Sequence, residues 1–495
     1  MHISDTKLLK ILHICKNLCI FAANFSNMKR FLYSLLFLCI GMTASAEVKY
    51  VFYLIGDGMG PNQVLAAEMY LAEMDGNIGR KQLHMTGLPY SGQAATFSAS
   101  NGITDSAAAG TALATGSKTN NGTLGLNADG DTLTTIAENL KAQGWGVGLL
   151  TTVAIDHATP AAFYANVKKR DNYYEVGKQL VRTDFDFFGG AGLHRPVPPE
   201  GQTGPNVYDL AEENGYTLAR GLKDAESKRT EAKKLILMQE NDAIDRRKKS
   251  SGNFPYMVDN RPEDLWLSNL TSFAIDFLQA HNDRFFLMIE GGMIDYAGHG
   301  RDGAANIQET IDFDGAVGVA LAFYQQHPDE TLIVVTADHE TGGMALGNSN
   351  YTLNLQQLQH QHGSAWTLSD DIGSLFKKGQ KKPTWQAVRA ILEKRLDFYN
   401  EVSISAEEDA KLQDAFRKAM KSKGKRSFKT MYKDLDALCN TAIGILNQQA
   451  KVGWTSYSHT AAAVPVFAIG QGAKQFTGWM DNTDIAPKIM NAVRR

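Results

Sequence analysis

The chain has 495 residues, 43% of them hydrophobic and 21% charged, and a net charge of −3. That is enough apolar mass for a large core, and the mildly acidic balance gives no support for nucleic-acid binding. Cys15, Cys19 and Cys39 fall near the start and only Cys439 lies further on, which excludes a disulfide-stapled scaffold.

The first feature in chain order is a leader. Met28-Lys29-Arg30 opens a basic segment, Phe31 to Ile40 is an apolar run, and Ala44-Ser45-Ala46 is a small-residue cleavage site. This is the three-part pattern of a secretory signal peptide, and its apolar run is too short to span a bilayer. The expectation is a true start at Met28, cleavage after Ala46, and a mature chain in the periplasm or outside the cell. Removing residues 1–46 takes away five Lys/Arg and one Asp, so the net charge moves from −3 to −7. The remaining ~450 residues can bury an ample core without disulfides, and no later segment is long and apolar enough to cross a membrane.

Residues 47–495 read as one domain. Tyr50 to Ile55, Val147 to Leu150, Phe285 to Ile289, Leu332 to Val335 and Val464 to Ile469 are short apolar runs that read as buried parallel strands. They alternate with helix-like stretches, Thr132 to Gln143 and Ala304 to Tyr324. This predicts an α/β fold with a mostly parallel central sheet and helices on both faces. Two stretches read as insertions: about 195–265, which opens with Pro196, Pro198 and Pro199 and is highly charged from Lys223 to Lys249, and about 350–450. In the second, Trp385, Val388, Ile391, Leu392, Leu396 and Tyr399 recur at helical spacing. Ser405 and Glu408 form a capping box ahead of Leu412, Phe416 and Met420. The charges of these helices read most simply as a solvated surface, with a lid or a subunit contact as the alternative.

The chemistry-bearing residues follow the strands. Asp57 follows the first, His157 and Thr159 the second, Glu290 and Asp295 the third, and Asp338 and His339 the fourth. Open α/β sheets set their sites beyond the carboxyl ends of strands, and scattered core carboxylates would show no such preference. Asp295 and His299 are four apart and share a helix face. With His459 they make a set of imidazole and carboxylate groups suited to divalent metals. Each pair alone is a weak signal. Ser106 opens a helix of small residues, where backbone N–H groups attract anions. Taken alone it would be an ordinary N-cap, but beside metals it is a candidate nucleophile. No Gly-x-Ser-x-Gly elbow is present, and Gly116-Ser117-Lys118-Thr119 does not fit a phosphate-binding Walker loop.

Six motifs carry a resemblance to the alkaline phosphatase family. They are Ile55-Gly56-Asp57-Gly58-Met59-Gly60, Thr104-Asp105-Ser106-Ala107, His157-Ala158-Thr159-Pro160, Glu290-Gly291-Gly292-Met293-Ile294-Asp295-Tyr296-Ala297-Gly298-His299, Thr336-Ala337-Asp338-His339-Glu340 and Ser458-His459-Thr460. The likeness covers residues 48–347 and resumes over about 451–470, without needing the segment between.

The resemblance implies a metal-dependent phosphomonoesterase acting on small phosphate monoesters, with 47–495 as its catalytic domain and a homodimer as its assembly. It implies one zinc on Asp295, His299 and His459, a second on Asp57, Asp338 and His339, and a magnesium on Asp57, Thr159 and Glu290. It also implies a phosphoserine at Ser106 and a phosphate-binding guanidinium at Arg170, which would otherwise read as part of the exposed Lys168-Lys169-Arg170 run. Two positions depart from the enterobacterial pattern. His157 replaces an aspartate, which opens the third site to zinc instead of magnesium. Tyr296 replaces a lysine, which implies weaker product binding, faster phosphate release and a more alkaline optimum. The rival readings are a phosphodiesterase or sulfatase of the same superfamily and a non-catalytic phosphate binder. Ser106, Arg170 and the Thr159–Glu290 pair favour the monoesterase, and no Cys-x-Pro-x-Arg sulfatase motif is present.

Overall fold

The computed structural model describes residues 47–240, 252–348, 350–377, 382–422, 425–426 and 428–494. The leader residues, with Met28 and Ala46, and the end of the charged stretch at Lys249 lie outside them. Among the described residues, fourteen strands run in chain order: β1 (Tyr50–Gly56), β2 (Tyr90–Ala95), β3 (Gly146–Thr151), β4 (Phe187–Gly190), β5 (Tyr216–Arg220), β6 (Lys234–Met238), β7 (Phe285–Glu290), β8 (Thr331–Ala337), β9 (Glu340–Thr341), β10 (Met344–Leu346), β11 (Val452–Trp454), β12 (His459–Thr460), β13 (Val464–Gly470) and β14 (Gly478–Asp481).

Ten of them form one sheet in the order β14-β2-β13-β8-β1-β7-β3-β4-β6-β5. Strands β1, β3, β7 and β8 are buried along their whole length, as the continuous apolar runs require of a parallel sheet covered on both sides. Helices flank the sheet, including Leu267–His281 and the long helix Gly303–Gln326. No helix among the described residues is long and apolar enough to cross a membrane.

The predicted strand at Val464 is present but antiparallel to both neighbours, β2 and β8. An apolar run announces burial, not direction. The direction follows from His459, which the short β12–β9 ladder holds just past the end of β8. The chain enters β13 from that end five residues later and has to run back down the sheet. The stretch 195–265 supplies β5 and β6, which continue the sheet to its edge, so that part extends the sheet. The helix read from Thr132 starts at Ile136, because Thr135 and Glu138 close a capping box there.

The stretch 350–450 folds into helices Ala365–Ser374, Trp385–Leu396, Ala406–Lys421 and Ala437–Ala450. The Ser405–Glu408 capping box is formed. Val388, Leu392, Leu396 and Leu412 are buried. Asp302, the N-cap of the long helix, joins this insert to the core. Its carboxylate accepts from Ala305 N (3.1 Å), Gln361 Nε2 (2.7 Å) and Ala365 N (2.6 Å).

Candidate active site

Register sets the floor of the site. Across β3, β7, β1 and β8, Thr151 lies opposite Glu290, Glu290 opposite Ile55, and Gly56 opposite Ala337. Four adjacent strands therefore end level, and Glu290, Asp57 and Asp338 emerge side by side. Gly58 turns the chain after Asp57 with φ +75°, and a Cβ there would sit 2.8 Å from the Asp295 Cα. Its N–H donates to Asp338 Oδ1 at 3.1 Å. Only glycine suits both the left-handed backbone and the close approach.

The walls come from three further elements. Helix Met293–Gly300 presents Asp295 and His299 on one face, with Oδ1 to Nε2 at 3.4 Å. The β9–β12 ladder sets His459 opposite Thr341, and the His459 ring stacks on His339 at 3.5 Å between centroids. Helix Ser106–Thr115 brings in the serine. Its N-cap is Asp105, whose Oδ1 accepts from Ala108 N at 2.9 Å. Ser106 is thus relieved of capping, and its Oγ lies 3.2 Å from His339 Nε2. The other oxygen of Asp105 accepts from Arg170 Nη1 at 3.1 Å, and Arg170 Nη2 donates to His157 Nε2 at 3.0 Å.

Hydrogen bonding fixes which imidazole nitrogens carry protons. His299 Nδ1 faces the Tyr457 carbonyl at 2.6 Å, and His459 Nδ1 faces the Thr104 carbonyl at 2.8 Å. Thr341 gives its proton to Asp295 Oδ1 and accepts from His339 Nδ1 at 3.2 Å. All three Nε2 atoms therefore point bare lone pairs inward. His299 Nε2 and His459 Nε2 are 3.2 Å apart, and Asp295 Oδ1 is 3.4 and 3.5 Å from them. His339 Nε2 is 3.4 Å from Asp57 Oδ1 and 3.3 Å from Asp338 Oδ2. Lone pairs at such separations repel unless a cation sits among them. Four ligands about 2.05 Å from a tetrahedral ion stand about 3.3–3.4 Å from one another.

The charge count argues the same way. Asp57, Glu290, Asp295 and Asp338 are all fully buried. Burial first, then neighbouring carboxylates, push Asp57 and Asp338 well above the ordinary carboxylate value. Burial raises Glu290 to about 7, against the hydrogen bond from Thr151. Burial also holds His157, His339 and His459 below the ordinary imidazole value. Asp57 Oδ1, Glu290 Oε1, Asp338 Oδ2 and His157 Nδ1 are buried without a hydrogen-bond partner. Buried anions left this way need cations, so the residues present fit metal ions.

Among the described residues, three clusters can hold a metal: Asp57, Asp338 and His339; Asp57, His157 and Glu290; and Asp295 and His459 with either His339 or His299. His339 Nε2 already faces Asp57 and Asp338, which leaves His299 to the last cluster. Thr159 Oγ1 lies 3.4 Å from Asp57 Oδ2, beside the second cluster. Tyr296 is buried on the helix of Asp295, with its ring edge-on to His157 at 5.7 Å.

The family model for alkaline phosphatase matches residues 48–494. The chain belongs to the alkaline phosphatase family. Alkaline phosphatase 4 of Bacillus subtilis (strain 168) is 30% identical over 470 residues, covering 91% of this chain and 89% of that one. The likeness to the alkaline phosphatase of Escherichia coli (strain K12) is also 30% but covers 59% of this chain. Among solved structures, the cold-active alkaline phosphatase of a psychrophilic Shewanella sp. superposes with a TM-score of 0.73 at 28% identity, covering 90% of this chain and all of that one. This alkaline phosphatase is accordingly a metal-dependent phosphatase. The family match spans the segment 350–450 as well, which the six motifs left aside.

Three side chains at the site of this alkaline phosphatase escape sequence reasoning in their roles. Asp105 aims Arg170. Thr341 orients both Asp295 and His339, and its place two residues after His339 was the available signal. Tyr432, from the helical insert, donates to Asp295 Oδ2 at 2.8 Å and stacks on Tyr296 with centroids 3.6 Å apart. Nothing in its local sequence marks it.

Proposed function

We propose that this phosphatase hydrolyses phosphate monoesters through a phosphoserine on Ser106, with two zinc ions and a third site that takes magnesium or zinc. The observation that carries this reading is the set of bare nitrogens and buried carboxylates closed around Ser106, with Arg170 beside it. Asp295, His299 and His459 would hold one zinc, and Asp57, Asp338 and His339 the other. Oxygen ligands on Asp57, Thr159 and Glu290 suit magnesium, whereas zinc at the third site would need His157 to give up its hydrogen bond from Arg170 and offer a bare nitrogen instead. When bound, the metals lower the pKa of the serine hydroxyl and carry charge on the leaving and transferring oxygens.

Ser106 attacks phosphorus from the N-terminus of its helix, where free N–H groups favour the anion. The Arg170 fork suits two phosphoryl oxygens, and Asp105 holds that fork in position before substrate arrives. His157 accepts from the same guanidinium and adds a second constraint on its plane. Tyr296 supplies no cation near the phosphate, consistent with weak product binding. A leader over residues 1–46, cleaved after Ala46, would deliver the mature chain to the periplasm or beyond.

The test is hydrolysis of p-nitrophenyl phosphate beside the corresponding bis-ester at alkaline pH, before and after chelation. Monoester turnover lost on chelation and restored by zinc is the expected outcome. Preference for the diester would move the protein to a phosphodiesterase, and no turnover with metal bound would make it a phosphate binder.

A further inference from the structure

Tyr432 sits in a short loop of the helical insert that touches the metal cluster of Asp295, His299 and His459 from two directions. The loop is closed by paired backbone hydrogen bonds, Phe428 N to Leu435 O at 3.1 Å and Leu435 N to Phe428 O at 2.8 Å. It is fastened to helix Ala365–Ser374 by Lys433 Nζ on Asp370 Oδ2 (3.0 Å) and by Asp436 N on Ser369 Oγ (2.8 Å). From one end, the Tyr432 hydroxyl holds Asp295 Oδ2, the carboxylate oxygen turned away from the histidines. Its ring lies flat on Tyr296 and edge-on to His299 at 5.2 Å. From the other end, the Phe428 ring packs on Tyr457 at 4.7 Å, and the Tyr457 carbonyl takes the His299 Nδ1 proton. The Arg301 guanidinium, just beyond helix Met293–Gly300, covers the Tyr457 ring at 3.2 Å.

We infer that the loop 428–435 is a clamp on one metal position: Tyr432 sets the orientation of Asp295, and Phe428, through Tyr457, sets that of His299. Tyr432 and Phe428 are positioning residues, and the clamp rests on the metal reading given above. Groups that orient metal ligands are worth about 10–100-fold in metal affinity. The insert therefore tunes the retention of one metal; the Tyr432 ring also meets His157 edge-on at 5.9 Å, a contact without a hydrogen bond that Tyr432→Phe keeps, so the other two clusters stay as they are.

The experiment follows zinc release from the mature, zinc-loaded enzyme to a chromogenic chelator, with metal content measured by mass spectrometry. Tyr432→Phe removes one hydroxyl and keeps the ring, and Phe428→Leu loosens the other arm. Tyr399→Phe is the control: its hydroxyl bonds Asp409 at 2.6 Å within the same insert, away from the cage. Both loop variants should release one metal equivalent about 10–100-fold faster, with the remaining metal leaving at the wild-type rate, and excess zinc should restore kcat. Tyr399→Phe should match wild type. Wild-type release from both loop variants overturns the clamp, as does equal acceleration in Tyr399→Phe, which would mean general loosening of the insert. A wild-type enzyme that binds no zinc would instead defeat the metal reading itself.

Discussion

Asp57, Glu290 and Asp338 reach the site from the ends of neighbouring strands, whereas Tyr432 reaches it from a loop of the helical insert. In the cradle, position follows from register: with β7, β1 and β8 ending level, Glu290 at the end of β7 and Asp57 and Asp338 just past β1 and β8 come out side by side. In the insert, position follows from a chain of side-chain contacts running from Asp302 through helix Ala365–Ser374 to Lys433 and Tyr432. The first arrangement brings candidate metal ligands together through backbone register alone. The second is a brace whose loss should weaken the cage without removing any reacting group.

The largest expected difference comes from striking the cradle. Ser106→Ala should lower kcat by about 10⁴-fold or more, as removal of a nucleophile does, while metal content stays at the wild-type level. Loss of the metals together with the activity would mean that Ser106 holds the cage and would blur the contrast. Arg170→Ala should lower kcat/KM by about 10²–10³-fold, the scale of a lost donor to a transferring group. Because Arg170 also donates to His157 and Asp105, a measured pH profile should shift along with the rate. An unchanged kcat/KM would remove Arg170 from the phosphate site.

The contrast also explains what the sequence made legible. Asp57, Asp338 and His339 sit directly at the ends of apolar runs, so a linear reading finds them. Asp295 and His299 announce themselves by helical spacing. His459 is legible as an imidazole that completes the Asp295 and His299 set, but the antiparallel course of β13 is not, since burial pattern carries no sense of direction. Asp105 and Thr341 lay inside quoted motifs or beside them, yet their roles depend on which oxygen faces which partner, and that is tertiary information. Tyr432 lies more than a hundred residues from Asp295, in a stretch whose charges read most simply as a solvated surface, with a lid or subunit contact as the alternative. Long-range packing of one aromatic ring leaves no periodic trace.

Striking the joint between the two regions should affect stability more than chemistry. Asp302→Ala leaves the N–H groups of Ala305 and Ala365 without their side-chain acceptor and costs the Gln361 amide one of its two, the Gly363 carbonyl remaining. The expected loss is about 2–4 kcal/mol in denaturant unfolding, with an earlier transition in the insert than in the sheet. The kcat per folded molecule should stay within a few-fold of wild type. A collapse of kcat at full folding would show that the insert belongs to the reacting machinery.

The smallest effect separates carboxylates that wait for metal from one that does not. Asp312 is buried on the long helix Gly303–Gln326, accepts from Leu267 N at 3.3 Å, and stands outside the cage. Burial raises its pKa to about 6, against the lowering effect of that hydrogen bond. The folded state thus binds this proton more tightly than the unfolded state does, so ionised Asp312 costs stability above about pH 6. That cost fades as pH falls through 6 toward the ordinary value of 3.8. Asp312→Asn removes the charge and keeps an acceptor for Leu267. The variant should be more stable than wild type by about 1–3 kcal/mol near pH 8, with the gap closing toward pH 4. Paired urea titrations of the two proteins at each pH cancel the contribution of the cage, whose carboxylates are the same in both. A gap that stayed constant with pH would mean that Asp312 is neutral throughout, and a gap of opposite sign would mean that its anion is stabilised by a partner as the cage carboxylates are by metal.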